Sequence, residues 1–265
     1  MLLLAVLTAF GATMLFGGFV AAARCRRFTR SAVPALLVLL LVRAVLAARA
    51  DWEWWLFPWQ GYAFVQGFTV YALAAAFFGI AAAALPVHWN RVVVLVVGLA
   101  VLGHGVRQHS WLAWPEVHGD GRVVDADHHL RQSTHYTCGP AACAAALSYC
   151  GVTVTERSIA AACLTRASGS RLFDLYRGLV VSLADCPFVV SIEDLDADQL
   201  AAHDQIVVAS NAGGGHALCV VSRGGALVVH DPLALAARVV TLDGLRHEYR
   251  APAIVIRAVS ARTRS

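Results

Sequence analysis

Long apolar runs dominate the first hundred residues of this chain, and short alternating runs dominate the rest. Four of the long runs have helical rather than strand length. Residues 1–23 are enough to span a bilayer and end at Arg24, Arg26, Arg27 and Arg30. A second run covers 33–48, and a third, rich in Ala and Phe, covers 62–85 and stops at Pro86. The fourth, 92–106, is the weakest, with about fifteen residues where roughly 20 are usual. The pattern predicts an all-α transmembrane region of four helices over 1–108.

Residues 109–121 (HSWLAWPEVHGDG) read as a linker, and 122–265 as a second domain. Its segment 122–130 has a short β-like start. Helices are predicted over 141–149, over 155–164 with Thr155 or Ser158 as cap, and over 171–184, where Leu172, Leu175, Leu179 and Leu183 share a face. The period then changes to that of strands, at 188–192, 205–210, 216–222, 226–230, 238–241 and 254–259, with a short helix at 196–202 and glycine-rich turns. Helices first and an antiparallel sheet second make an α+β domain.

Composition sharpens this division. The chain has 265 residues, of which 58% are hydrophobic and only 14% charged, too apolar for an ordinary soluble protein. Up to Gln108 there are eight arginines against two acids, Asp51 and Glu53; from His109 there are thirteen against fifteen. The basic surplus belongs to the membrane half, so a pI near 8.8 does not argue for nucleic acid. Every cationic side chain other than His is Arg, which excludes a lysine nucleophile.

The arginines also orient the chain. The cluster after the first run carries its charge behind the apolar stretch, opposite to an export signal, so the run reads as a retained anchor. Keeping that cluster cytoplasmic puts the aromatic stretch 51–59 on the outer rim and the second domain on the extracytoplasmic side of a cytoplasmic membrane. Were 92–106 not to span, that domain would be cytoplasmic. Arg43, inside the second run and near Asp51 and Glu53, reads as a snorkelling side chain or half of an ion pair.

The chemistry begins at residues 132–151, QSTHYTCGPAACAAALSYCG. Cys138-Gly139-Pro140 is a turn opening onto an Ala-rich run that Gly151 ends, and Pro140 suits a first helical turn. Cys138 therefore stands at a helix mouth, where unpaired amides and the helix dipole favour a thiolate. Gln132 can offer a side-chain NH2 to the same space. His216 opens a strand after three glycines, and Asp231 ends the next, so a tight hairpin makes them neighbours. A carboxylate behind an imidazole orients it toward a thiol. Six further cysteines remain, with no pair of CxxC motifs to suggest zinc; Cys150–Cys163 and Cys186–Cys219 stay open as disulfides. His118, His128, His129 and His135 match no metal-site spacing and read as loop histidines; His230 should face away from Asp231.

The order Gln132…Cys138-Gly139-Pro140-Ala141…His216…Asp231 resembles the papain-like bacteriocin-processing (double-glycine leader) cysteine peptidases, over about residues 122–259 and including the Gly169-Ser170 turn. The resemblance implies Cys138 as nucleophile, His216 as general acid/base, Asp231 as its orienting residue, and Gln132 with the Cys138 amide as oxyanion hole. No cofactor or metal is implied. The partners are a peptide or protein substrate and the lipid bilayer. Many members are fused to ATP-driven exporters, but this chain has no GxxxxGK[ST] loop, so export machinery would be a separate partner. The alternatives are thioester-based acyl transfer at the same site, or a non-catalytic peptide-binding module.

Overall fold

The computed structural model describes residues 1–48, 52–53, 56–57, 62–113, 118–211 and 214–259. The chain divides into two compact units, Met1–Pro115 and Glu116–Ser265. Most of the aromatic stretch 51–59 and part of the linker, 114–117, lie outside the described residues.

In the first unit, α1 (Leu2–Arg24) and α2 (Arg26–Ala48) are separated by Cys25 alone, whose extended backbone breaks the helical path. The second helix thus starts seven residues before the predicted 33, and its arginines occupy its first turns rather than a loop. The expected third helix, 62–85, is not continuous. It is a single turn, α3 (Tyr62–Val65), then a break at Gln66-Gly67, then α4 (Phe68–Ala84) of 17 residues. The break has a polar cause. Gln66 is buried and donates its side-chain amide to Glu53 at 2.6 Å, Tyr62 donates to the same carboxylate at 2.8 Å, and Arg43 pairs with it at 3.2 Å. Arg43 is therefore half of an ion pair, as one of the two sequence readings had it. The fourth helix, α5 (His88–Gln108), has 21 residues, because His88, Arg91, Arg107 and Gln108 extend the apolar run with polar helical turns. Among the described residues, three helices are long and apolar enough to cross a membrane: Leu2–Arg24, Thr29–Leu46 within α2, and His88–Gln108.

The second unit has its helices first and its sheet second. The helices are α6 (Cys138–Tyr149), α7 (Glu156–Ala162) and α8 (Leu172–Ser182). Then follow β1 (Phe188–Glu193), α9 (Ala197–Ala201), β2 (Gln205–Asn211), β3 (Ala217–Arg223), β4 (Ala226–His230), β5 (Arg238–Val240), α10 (Leu242–Glu248) and β6 (Tyr249–Ala258). Thr155 caps α7 in a reciprocal box with Ser158, and Asp196 caps α9 with Gln199 in the same way. Residues 122–130 form turns and coil instead of the β-like start, since their backbone groups bond to α7 and to Asp125. The helix α10 went unforeseen.

The six strands are antiparallel throughout, in the order β1-β6-β2-β3-β4-β5. One face carries Val207, Leu218, Val220, Val229 and Val255, sealed by Leu200 of α9 and Leu245 of α10. Alternation sends Val208, Cys219, His230 and Ile254 to the other face, all buried, where α6 packs on β2 and β3. Nine consecutive residues of α6, Gly139 through Leu147, are buried. Small side chains let a helix sit that deep, so its N-terminus ends against the start of β3.

Candidate active site

The N-terminal turn of α6 holds Cys138 as its first residue. Gly139 leaves room there for α8, since a Cβ would stand 2.6 Å from Leu175 Cδ2 and that side chain would have to shift. Opposite, Gly214 and Gly215 have φ of 72° and 74°, in the left-handed region that glycine tolerates. They turn the chain so that the Asn211 amide donates to the His216 carbonyl at 2.8 Å, and His216 stands one residue ahead of β3 rather than as its first residue.

The hairpin β3–β4 pairs Cys219 with His230, so the residues flanking the two strands meet at its open end. His216 Nε2 and Asp231 Oδ1 are 2.6 Å apart. Cys138 and His216 line the same cavity and are near enough for each to shift the other's titration. Asp231 is itself fixed by the Leu233 amide, which donates to its Oδ1 at 2.9 Å.

The electrostatics follow from these contacts. Burial pushes the Cys138 thiol up, but its bonds to His216 and to the backbone amides of Ala217 and Gly139 outweigh that, and its pKa falls below the ordinary thiol value. The bond to Cys138 raises the His216 pKa; burial opposes it, and Asp231 adds to it. Burial raises the Asp231 carboxyl, yet its bonds to His216 and the Leu233 amide leave it net lowered. All three shifts favour a thiolate, an imidazolium and a carboxylate in a row.

A cavity of about 410 Å³ opens over the sulfur, lined by His135, Tyr136, Gly139, Ser168, Leu175 and Gly215 among others. One wall is the turn 166–170, where Arg166 and Gly169 exchange backbone hydrogen bonds. Its anchor was not foreseen. The buried carboxylate of Asp174 grips Arg171 at 3.0 Å and Arg166 at 3.6 Å, holding both ends of that wall. The spacing Arg171-x-x-Asp174 at a helix start was the signal that could have found it.

Gln132 is placed differently from the others. Its side-chain NH2 donates to the Thr134 carbonyl at 2.6 Å, and it is not among the residues lining the cavity. Its backbone is held on both sides: its own amide donates to Pro232, next to Asp231, and the Ser133 amide to buried Glu156. Glu156 also accepts from Asp120, a clamp that the sequence reading did not pick out.

Among the described residues no group of three or more His, Cys, Asp or Glu side chains could hold a metal. Each of these loop histidines has a partner within the protein. His118 and His135 meet the Tyr136 ring edge-on, His128 bonds Ser148, and His129 bonds the Ala234 carbonyl. His230 is buried against the Tyr149 hydroxyl at 3.0 Å. Neither open disulfide forms: all seven cysteines are free thiols.

This chain is similar to double-glycine-motif peptidase domains. One solved structure is a double glycine motif protease from an AMS/PCAT transporter in complex with the leader peptide. It is 13% identical, covers 53% of this chain and 94% of its own, and has a TM-score of 0.43. Another is the peptidase domain of Streptococcus ComA, a bi-functional ABC transporter involved in a quorum sensing pathway, at 17% identity, 49% and 96% coverage and a TM-score of 0.40. No family model and no curated protein matches the chain.

Proposed function

We propose that this chain is a membrane-anchored cysteine peptidase acting on peptide or exported protein substrates. The observation that carries the reading is that Cys138 and His216 share one open cavity and shift each other's titration, with Asp231 2.6 Å from the His216 ring. The Cys138 thiolate attacks a peptide carbonyl carbon and forms a C–S bond. The negative oxygen that results lies at the N-terminus of α6, whose first amides have no helical acceptor. His216 gives its proton to the leaving nitrogen as the C–N bond breaks. It then takes a proton from water, which attacks the thioester and releases the acid. Gln132 joins the oxyanion site by aiming the second proton of its side-chain NH2, or by leaving the Thr134 carbonyl. Such a donor lowers the barrier by about 3 to 4 kcal/mol.

In this reading α1, α2 and α5 span the bilayer, and α4, about 26 Å long at 1.5 Å per residue, completes a four-helix anchor with the α3 turn. An even number of spans and the arginine bias place the peptidase on the extracytoplasmic side. Its substrate class, implied by the motif order, is a leader-bearing peptide, with any exporter a separate protein.

The test is turnover of a peptide library by the full chain in detergent, together with iodoacetamide labelling of Cys138. Cys138→Ala and His216→Ala should each abolish cleavage. Full activity in either variant rules the mechanism out. Product masses separate hydrolysis from transfer to an amine.

A further inference from the structure

The first unit has a cavity of its own, lined by none of the residues described so far as site residues. It has a volume of about 380 Å³ and lies where the end of α1, the start of α2, the end of α4 and the start of α5 meet. Its floor is apolar, made of alanines such as Ala22 and Ala84 with Pro86, while Thr29, Arg30 and Arg91 line its polar part. The Arg91 Nε donates to the Leu85 carbonyl at 2.7 Å, which fixes the guanidinium at the rim. Neither Arg30 nor Arg91 has a carboxylate partner among the described residues.

Among the described residues the unit supplies none. Its acids before the linker are Asp51, which lies outside the described residues, and Glu53, which is committed to Arg43. Two guanidinium groups around one concavity repel each other unless an anion sits between them. Arg is also suited to binding a planar or tetrahedral oxyanion through two parallel hydrogen bonds. The alanine floor adds a surface for hydrocarbon.

We infer that this cavity binds the phosphodiester headgroup of an anionic phospholipid, with Arg30 and Arg91 on the phosphate and the acyl chains running along the alanines. The inference rests on the proposal that these helices cross a membrane. Arg24, Arg27 and Arg30 stand at the same helix ends, and arginine bias puts that end at the cytoplasmic leaflet, where anionic lipids attract basic segments. The cavity would then fix the depth and rotation of the bundle through one bound lipid.

The experiment uses the full chain, reconstituted in nanodiscs of phosphatidylcholine with or without phosphatidylglycerol, extracted into detergent and weighed by native mass spectrometry. One phosphatidylglycerol should stay bound per chain, and Arg30→Gln with Arg91→Gln should lower retention at least tenfold. Arg24→Gln with Arg27→Gln removes the same charge outside the cavity and should leave retention unchanged. Equal loss in both double variants, or equal retention in both, overturns the proposal. Displacement of the lipid by excess inorganic phosphate also overturns it, because the site then recognises free phosphate. If the arginine variant does not fold, Ala84→Leu fills the floor with both charges intact and should lose the lipid; retention there is equally fatal. Extraction by alkaline carbonate separates the two readings. A chain that carbonate releases ends the membrane reading and this one with it, whereas a chain that stays embedded without lipid ends this one alone.

Discussion

Replacing Asp231 tests the row of three side chains at its least conspicuous member. Asp231→Asn keeps an oxygen where Oδ1 now meets His216 at 2.6 Å and the Leu233 amide at 2.9 Å, and it removes only the charge. A hydrogen bond to a charged group contributes about 1.5 to 3 kcal/mol, a neutral one about 0.5 to 1.5. The difference, about 1 to 1.5 kcal/mol, corresponds to about 5- to 13-fold in rate. Asp231→Ala loses the whole bond, about 10- to 150-fold. Both side chains are partly exposed, at 14% for His216 and 26% for Asp231, which favours the lower ends of these ranges. The pH profile gives an independent reading. The thiolate–imidazolium pair exists above the lowered Cys138 pKa and below the raised His216 pKa, so kcat/KM is bell-shaped. Without the carboxylate the imidazolium loses one stabilising partner, and the alkaline limb must move toward acid. The assay is kcat/KM against pH for the two variants on one peptide, with a thermal melt to verify folding. Wild-type rates and an unmoved alkaline limb in Asp231→Ala would refute the role given to that carboxylate.

Other consequences follow from single positions. Burial, with His129 and His128 nearby, lowers the His230 pKa to about 4 against an ordinary 6.5, so the unfolded chain binds the extra proton first. Stability should therefore fall as pH drops from 6.5 toward 4, by roughly 3 kcal/mol in total, and His230→Phe should flatten that slope in denaturant melts at stepped pH. Gly178→Ala would put a Cβ 2.3 Å from Cys163 Sγ and 3.2 Å from its backbone nitrogen, and should lower the melting temperature with a cost of about 1 to 3 kcal/mol. Glu53→Ala leaves the Arg43 guanidinium without its anion in the first unit, and should destabilise that unit by about 3 to 5 kcal/mol, read as protease susceptibility in detergent. Glu156→Ala strands the Asp120 and Ser133 amides and should lower kcat through the Gln132 segment more than KM, whereas Glu156→Gln should restore much of it.

Local chemistry made much of this molecule legible. Cys138-Gly139-Pro140 before an alanine run can form a helix start almost regardless of context, and Thr155 and Asp196 announce their caps within three residues. Two strands joined by a tight glycine turn leave little freedom in where His216 and Asp231 go, because the hairpin register is local. What the chain order could not decide was set by partners far away in sequence. The insertion of β6 between β1 and β2 depends on which apolar faces α9 and α10 cover, a comparison of whole packings rather than of neighbours. Segment 122–130 has strand-like residues, but the Glu156 amide takes up the Arg122 carbonyl and the Asp125 side chain takes up the Asp127 and His129 amides, bonds that a sheet would otherwise need. The break at Gln66-Gly67 is invisible in a hydropathy pattern, since its cause is a carboxylate thirteen residues upstream and an arginine on the preceding helix. Periodicity and capping thus wrote the elements into the sequence, because both act over a few residues. Only the folded chain settled which polar atoms meet, because a buried charge is stabilised by whatever the packing brings within hydrogen-bonding distance.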